Sequence, residues 1–221
     1  MSELRVENVH YRYKNSSRDA LHGVTCVFEE GKLSAVAGPS GSGKTTLLSI
    51  LAGLDQPSFG RVYIDGEDYS ELDLDCFRRE RISMIFQAFH LFPLLTVLEN
   101  VSYPMEQNGA RKAAATKRAK ELLSMVDISS EKHRRFPSNL SGGEQQRVAI
   151  ARALASGARV ILADEPTGNL DKQNGDRIVE LLRKLAHDDG YCVIIVTHDA
   201  SISDSSDITF QMSDGELIIK Q

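Results

Sequence analysis

A glycine-rich loop near the N-terminus constrains the fold of this chain more than any other feature. Residues 38–46 read Gly-Pro-Ser-Gly-Ser-Gly-Lys-Thr-Thr, between a short apolar run, Leu33–Ala37, and a segment of helical composition, residues 46–52. A strand, a GxxxxGK[ST] loop and a helix in this order predict a phosphate-binding loop. Its glycines let backbone N–H groups approach phosphate oxygens, and the helix N-terminus adds partial positive charge. The sequence therefore predicts an α/β fold with a nucleotide site.

The polar residues of the loop have distinct expected roles. Lys44 is expected to reach the β- and γ-phosphates, and the Thr45 hydroxyl to ligate Mg²⁺. Thr46 is available for a further phosphate contact. The residues expected to bind the nucleotide in this segment are Gly38, Ser40, Gly41, Ser42, Gly43, Lys44, Thr45 and Thr46.

Two carboxylates follow a second apolar run. Val160–Ala163 reads as a buried strand, and Asp164 and Glu165 come directly after it. Open α/β sheets bind their ligands at the carboxyl ends of such strands. Asp164 is suited to hold Mg²⁺ through water, and Glu165, which is predicted to face the other way, to polarise an attacking water. The alternative is a strand that ends in solvated acids. The phosphate loop in the same chain favours the catalytic interpretation.

A second glycine-rich segment begins another helix. Residues 140–147 read Leu-Ser-Gly-Gly-Glu-Gln-Gln-Arg, in which Ser141 is a good N-cap and Gly142 and Gly143 expose N–H groups. This helix start, which runs toward Ala155, is a second anion site. One chain needs only one phosphate cradle, so we expect a head-to-tail pair of copies that share two nucleotides. The alternative is a flexible turn before a helix.

Strand and helix patterns alternate along the chain. Residues 113–126 form a strong helix pattern, and Ile178, Leu181, Leu182 and Leu185 make another helical stripe. This alternation predicts a largely parallel sheet wrapped by helices. The strand candidates are residues 4–9, 23–29, 33–37, 61–65, 81–86, 160–163, 192–196, 208–212 and 216–219, the last two as a hairpin.

Composition excludes several classes of protein. The 221 residues carry a net charge of −5, so no basic footprint argues for nucleic acid. The longest apolar run, residues 191–196, is far too short to span a bilayer. Cys26, Cys76 and Cys192 are widely spaced, without a CxxC pair, and predict reduced thiols in a cytosolic protein.

The order of the motifs resembles that of the ATP-binding-cassette ATPases, over essentially the whole chain. The phosphate loop is followed by Gln87, Leu140–Gly143, Asp164–Glu165 and His198. The resemblance implies ATP hydrolysis with ATP and Mg²⁺ as ligands. It also implies an α/β P-loop NTPase fold with a mainly parallel core sheet, an N-terminal antiparallel β-subdomain and an inserted helical lobe. We expect one domain over residues 1–221, with core residues 1–87 and 156–221 and a lobe at about 88–155.

The family's roles carry over residue by residue. Tyr13, placed on the N-terminal strand, resembles the aromatic that stacks on adenine, and Tyr11 is the alternative. Gln87 resembles the glutamine that senses Mg²⁺ and the attacking water. His198 resembles the histidine that touches the γ-phosphate, so the catalytic set is Glu165, His198 and Gln87. The metal set is Thr45, Gln87 and Asp164.

Two further segments resemble those that act between subunits. Ser141, Gly142 and Gly143 resemble the signature that contacts the γ-phosphate bound to the opposite subunit. Residues 169–171, which end at Asp171, resemble the loop that crosses the dimer interface and contacts nucleotide. Glu144 stands where the family usually has Gln, and we expect it to weaken nucleotide affinity slightly at most.

Residues 94–101 and 166–171 are similar to the ATPases of the lipoprotein-release, macrolide and antimicrobial-peptide export group. This resemblance implies a separate transmembrane permease and a place at the inner face of the cell membrane. Phe89–Leu95 is rich in large apolar side chains and predicts either a docking groove for a partner helix or the core of the lobe itself. The lobe is locally basic, either as a solvated face or because it lies near anionic lipid.

Two other functions remain as alternatives. A cassette ATPase without a permease would act on ribosomes or DNA, but such proteins usually carry two cassettes or long insertions. A nucleotide-gated regulator would bind without hydrolysis, which the intact Lys44, Asp164, Glu165 and His198 argue against. A GTPase is disfavoured because the sequence has no Asn-Lys-x-Asp motif.

Overall fold

The computed structural model describes residues 3–14 and 16–220, which form two β-sheets and seven α-helices. Short 3₁₀ turns cover Tyr69–Glu71, Ser130–Lys132 and Pro137–Asn139. The strands are β1 Leu4–Tyr11, β2 Leu21–Phe28, β3 Leu33–Ala37, β4 Phe59–Ile64, β5 Glu67–Asp68, β6 Ile82–Phe86, β7 Val160–Asp164, β8 Cys192–Thr197, β9 Ile208–Ser213 and β10 Glu216–Lys220. The helices are α1 Lys44–Leu51, α2 Leu74–Glu80, α3 Val97–Gln107, α4 Lys112–Met125, α5 Gly142–Leu154, α6 Lys172–His187 and α7 Ala200–Ser205.

The larger sheet is mainly parallel, as the sequence predicts. Its strand order is β10-β9-β3-β8-β7-β6; β10 runs antiparallel to β9, and the other neighbouring pairs are parallel. The central strands β3, β8 and β7 are mostly apolar because helices or the second sheet cover both faces. Ala37 pairs with Thr197, and Asp164 pairs with both Val196 and Phe86. The carboxyl ends of β3, β8, β7 and β6 therefore meet at one edge.

The smaller sheet is antiparallel and lies near the N-terminus, which confirms the predicted β-subdomain. Its order is β2-β1-β4-β5. The strand β1 ends at Tyr11, which pairs with Leu21, and the chain then turns with a bond from Ser16 N to Tyr13 O. The placement of Tyr13 on this strand was therefore wrong, because the turn toward β2 begins before Tyr13 is reached.

Two hydrophobic clusters lie on opposite faces of the larger sheet. Alternate residues of each buried strand point to opposite faces. Leu162 and Ile194 thus belong to a cluster shared with α1 and the smaller sheet, whereas Ile161 and Val193 belong to a cluster shared with α3, α4, α5 and α6. This double cover fixes the strand ends relative to one another.

Helices α3, α4 and α5 pack against one another in the region predicted as the helical lobe. A capping box formed by Thr96 and Glu99 begins α3, and α4 matches the predicted helix within about one residue at each end. The division of the chain at residues 87/88 and 155/156 stays a prediction. Among the described residues, no helix combines the length and apolar character needed to cross a membrane.

Candidate nucleotide-binding site

The predicted site residues gather where four parallel strands end. Gly38 follows β3, His198 follows β8, and Gln87 follows β6, while Asp164 ends β7 and Glu165 comes directly after it. Because these strand ends are in register, the folded chain brings together motifs that are far apart in sequence.

The glycines of the phosphate loop are required by geometry. Gly41 and Gly43 have φ angles of +80° and +109°, which strongly favour glycine. A Cβ on Gly38 would lie 2.2 Å from the carbonyl oxygen of Met212, and a Cβ on Gly43 would lie 2.7 Å from that of Ala20. Helix α1 begins at the next residue. The loop is thus a tight backbone turn at a helix N-terminus, as an anion cradle requires.

The C-terminal hairpin of β9 and β10 braces this loop from behind. The amide of Gly215, in the turn of the hairpin, donates to the carbonyl of Ser42 at 2.9 Å. Gly38 lies close to Met212 near the end of β9. The shape of the cradle therefore depends on residues at the opposite end of the chain.

Lys44 is buried within the loop that it serves. Its Nζ donates to the carbonyl oxygens of Gly38 and Pro39 at 2.7 Å and 2.8 Å. An ammonium group has three donors, so one remains for an anion. The neighbouring Thr45 is exposed and free to reach a ligand from the mouth of the cradle.

Tyr13 reaches the phosphate loop, and Tyr11 does not. The Tyr13 hydroxyl lies 2.8 Å from the hydroxyl of the buried Thr46, and Tyr13 is 48% exposed. Tyr11 instead donates to Asp55 and meets the Tyr13 ring edge-on. Of the two candidates for a stacking aromatic, Tyr13 has the accessible ring beside the loop.

The two carboxylates after β7 differ in their surroundings. Burial, followed by the negative charge of Glu165, raises the pKa of Asp164, and Lys44 opposes this shift. Glu165 adopts a φ of +45°, which turns its side chain toward the end of β8. One of its oxygens accepts from the Thr197 hydroxyl at 3.2 Å, and the other lies 2.7 Å from Nδ1 of His198. Glu165 is thus held in one orientation from two sides.

The residues expected to hold Mg²⁺ fit that ion. Thr45, Gln87 and Asp164 offer a hydroxyl, an amide and a carboxylate oxygen, and Mg²⁺ takes oxygen ligands. No cluster of three or more His, Cys, Asp or Glu suited to a metal is found in residues 3–14 and 16–220. A site with few protein ligands suits an ion that is bound largely through substrate phosphates and water.

Gln87 is joined to the loop that follows β7, a contact that sequence reasoning missed. Its side-chain amide donates to Asn169 Oδ1 at 3.3 Å, and the Asn169 amide donates back to the Gln87 carbonyl at 2.9 Å. A Cβ on Gly168 would lie 2.7 Å from Gln87 Nε2. The spacing of these residues in sequence gives no signal of this pairing.

The second glycine-rich helix start is capped as predicted. The Ser141 hydroxyl accepts from the Glu144 amide, and a Glu144 oxygen accepts from the Ser141 amide at 2.9 Å. A Cβ on Gly143 would lie 2.7 Å from Asn174 Oδ1, and one on Gly142 would lie 3.3 Å from Leu170. The signature segment therefore packs on the loop that ends at Asp171, whose carboxylate caps α6.

Glu144 is engaged on both oxygens. Its second carboxylate oxygen pairs with Lys132, and this ion pair together with the bonds from Ser141 lowers the pKa of Glu144. Within the subunit Glu144 is therefore a paired carboxylate, and its effect on nucleotide affinity stays a prediction.

The apolar segment after Gln87 is partly buried and partly exposed, so both predicted roles stay open. Leu91 packs into the cluster of the helical region, whereas Phe92 and Leu94 are 43% and 87% exposed. Phe92 lines a groove of about 430 Å³ together with Tyr103 of α3 and Arg152 of α5. Arg152 donates to the carbonyls of Phe89 and His90, so α5 holds this segment in place.

Comparison with known proteins identifies close relatives. Residues 21–168 match the family described as ABC transporter. An uncharacterized ABC transporter ATP-binding protein, YclH of Bacillus subtilis, is 41% identical over 100% of this chain and 98% of that protein. The macrolide export ATP-binding/permease protein MacB of Brucella melitensis is 42% identical over 97% of this chain but only 34% of its own length.

A solved structure matches the fold closely. The ATP-binding cassette MJ0796, of Methanocaldococcus jannaschii, has been determined as a dimer in a post-hydrolysis state bound to ADP and Pi. It aligns with a TM-score of 0.88 at 40% identity, over 99% of this chain and 98% of that one.

Proposed function

The chain belongs to the ABC transporter ATPases, and from this premise we propose that it is the ATP-hydrolysing subunit of a membrane exporter. Two copies close head to tail around two Mg·ATP, and this movement drives a separate permease. The chain acts in the cytoplasm, at the inner face of the cell membrane.

The observation that carries the proposal is the presence of two glycine-rich helix starts in one chain, each with main-chain N–H groups suited to an anion. The phosphate loop before α1 holds a buried lysine and a backbone cradle. The start of α5 offers the N–H groups of Gly142 and Gly143 after a capped Ser141. A head-to-tail dimer places the second of these on the nucleotide held by the first of its partner, so each nucleotide is enclosed by two subunits.

Hydrolysis follows from the arrangement at the strand ends. Lys44 balances the charge of the β- and γ-phosphates, and Thr45, Asp164 and Gln87 would hold Mg²⁺, which neutralises charge on the phosphates when it is bound. Glu165, oriented by Thr197 and His198, accepts a proton from the attacking water. His198 uses Nδ1 for Glu165, which leaves Nε2 for the γ-phosphate.

The groove beside Phe92 is the proposed docking site for the permease. It lies between α2 and β6 on one side and α3 and α5 on the other, and its walls include Met84 and Tyr103. An amphipathic helix of a partner fits an apolar groove of this kind. MacB carries an ATP-binding part and a permease in one chain, as its name states. That arrangement supports a permease partner for the ATP-binding unit described here.

The test is nucleotide-dependent dimerisation of the Glu165→Gln variant. The amide keeps the shape of the side chain but cannot accept the proton, so we expect hydrolysis to fall at least ~100-fold. Mg·ATP should then trap a dimer in size exclusion with light scattering, and ADP alone should not. A variant that hydrolyses ATP at the parent rate would transfer the role of base to another residue. One that stays monomeric with Mg·ATP would contradict the shared site.

A further inference from the structure

Lys132 and Glu144 form an ion pair at the edge of the signature segment. Lys132 ends the 3₁₀ turn Ser130–Lys132, and Glu144 lies in the first turn of α5. Their side chains are 31% and 16% exposed, so solvent screens this pair less than a fully exposed one. The other oxygen of Glu144 accepts from the Ser141 amide. Glu144 is therefore a bridge between Lys132 and the capped serine.

The position of Glu144 allows its charge to affect the proposed contact with the partner's nucleotide. A carboxylate three residues after Ser141 lies at the helix start that is proposed to receive the γ-phosphate of the partner subunit. Like charges near each other repel, and the effect grows where solvent is excluded, as it is when a dimer closes. A cation paired with Glu144 cancels this repulsion and leaves the helix N-terminus with its favourable partial charge.

The segment that carries Lys132 is also tied to α3. The Val97 amide donates to the Arg135 carbonyl at 2.8 Å, and the Leu98 amide donates to the His133 carbonyl at 3.0 Å. Helix α3 contributes Tyr103 to the groove proposed for the permease. A continuous chain of contacts thus runs from this groove, through the start of α3 and Lys132, to Glu144 and Ser141.

We propose that Lys132 is a positioning residue for the shared nucleotide site: by pairing with Glu144 it fixes the cap on Ser141 and neutralises the carboxylate that would otherwise face the partner's nucleotide. This inference rests on the proposed function, because it assumes that the signature segment meets the γ-phosphate across the dimer.

The experiment is a double-mutant cycle on dimer formation with Mg·ATP, in the Glu165→Gln background. Lys132→Ala should raise the dissociation constant of the dimer about tenfold, the scale of a lost charge-assisted hydrogen bond. ATP affinity of the monomer should not change. Lys132→Arg should restore dimerisation. With Glu144→Gln also present, the further effect of Lys132→Ala should be within about twofold, because an uncharged amide can still cap Ser141 and needs no counter-ion.

The controls separate charge from general loss of structure. Lys120→Ala removes one positive charge from an exposed position on α4 and should leave the dimer unchanged. The proposal would be overturned if Lys132→Ala weakened the dimer equally with Glu and with Gln at position 144, because Lys132 would then act through packing. No loss from Lys132→Ala would overturn it as well.

A second measurement keeps this inference separate from the proposed function. If the parent Glu165→Gln protein stays monomeric with Mg·ATP, the shared site is wrong, and amide hydrogen exchange in the monomer decides the role of Lys132. Faster exchange at Ser141 in Lys132→Ala, reversed by adding Glu144→Gln, supports the positioning role. Exchange that does not change overturns it.

Discussion

The two segments proposed to bind phosphate are held in place by different means. The phosphate loop continues from β3, and its neighbours Asp164, Gln87 and His198 lie at strand ends fixed by main-chain hydrogen bonds. The signature segment lies at the start of a helix, where Ser141 and Glu144 cap each other and Glu144 pairs with Lys132. Its glycines pack closely against Leu170 and Asn174.

Because the two segments are held differently, we expect nucleotide binding and dimer closure to depend on different parts of the molecule. Main-chain bonds between buried strands resist local opening, whereas caps and ion pairs at a helix end are individually weak. The phosphate loop is therefore expected to bind nucleotide in a single subunit. The signature segment is expected to act only on a partner's nucleotide and to shift at lower cost.

Lys44→Ala should strongly weaken nucleotide binding by the phosphate loop and leave the structure of the signature segment unchanged. The variant removes the charge beside the phosphates, and a lost charge interaction of about 4 kcal/mol corresponds to ~1,000-fold weaker ATP binding. Calorimetric titration of the monomer with Mg·ATP measures this. Lys220→Ala, at an exposed position on β10, is the matched control and should bind as the parent does. Undiminished affinity in Lys44→Ala would remove the loop from the site.

Gly142→Asp should prevent the signature segment from acting in the dimer and leave the phosphate loop unchanged. The new carboxylate would face the partner's γ-phosphate, so we expect the Mg·ATP-trapped dimer to weaken at least ~100-fold. Monomer binding should be unaffected. Gly142→Asn adds the same bulk without charge and should weaken the dimer less, since the nearest atom to a new Cβ is a flexible leucine side chain. Light scattering that finds an unimpaired Gly142→Asp dimer would show that this segment is not part of the shared site.

Tyr13→Ala should weaken ATP binding at the phosphate loop. Stacking of an aromatic ring on a base contributes about 1–3 kcal/mol, so ATP affinity should fall roughly tenfold. Tyr13→Phe keeps the ring and loses only the bond to Thr46, and it should bind within about twofold of the parent. Fluorescent-nucleotide titration distinguishes the two variants. If Tyr13→Ala binds normally, Tyr11 becomes the candidate.

Asp164→Asn should give the smallest effect, which is a gain in thermal stability rather than a loss of binding. A raised pKa means that the folded state binds a proton more readily than the unfolded state, so ionised Asp164 destabilises the fold at neutral pH. Removing that charge should therefore raise Tm slightly at pH 7. The gain should shrink as pH falls through the folded pKa, because Asp164 itself then becomes neutral.

Thermal unfolding without nucleotide measures this gain. Asp204→Asn, at an exposed position on α7, should leave Tm unchanged. A lower Tm in Asp164→Asn would mean that the carboxylate makes a stabilising contact in the folded subunit.

The sequence predicted the parts of the molecule that depend on local pattern. Buried strands such as β7 and β8 were found because all their residues except the last are apolar, and the phosphate loop because its glycines have fixed spacing. The predicted cap at Ser141 is likewise local. Tyr13 was misplaced because strand propensity does not indicate where β1 stops pairing.

What the sequence did not predict depends on side chains brought together by the fold. The Gln87–Asn169 bonds join residues 82 positions apart, and Arg152 binds carbonyls about as far away in sequence. The Lys132–Glu144 pair joins residues closer in sequence, yet it depends on how the 3₁₀ turn is attached to α3. Such contacts are specified by tertiary packing, so a single sequence cannot distinguish them from solvated charges.

Because the hairpin of β9 and β10 supports the phosphate loop from behind, the order in which the chain is synthesised determines when the site can form. Translation produces the loop, residues 38–46, long before the carbonyl of Met212 and the amide of Gly215 that support it. Because domains fold as units during synthesis, the nascent chain carries the motif long before its cradle is complete. A nascent chain that stops before β9 and β10 therefore lacks a finished ATP site, and stable nucleotide binding waits until this hairpin has been made.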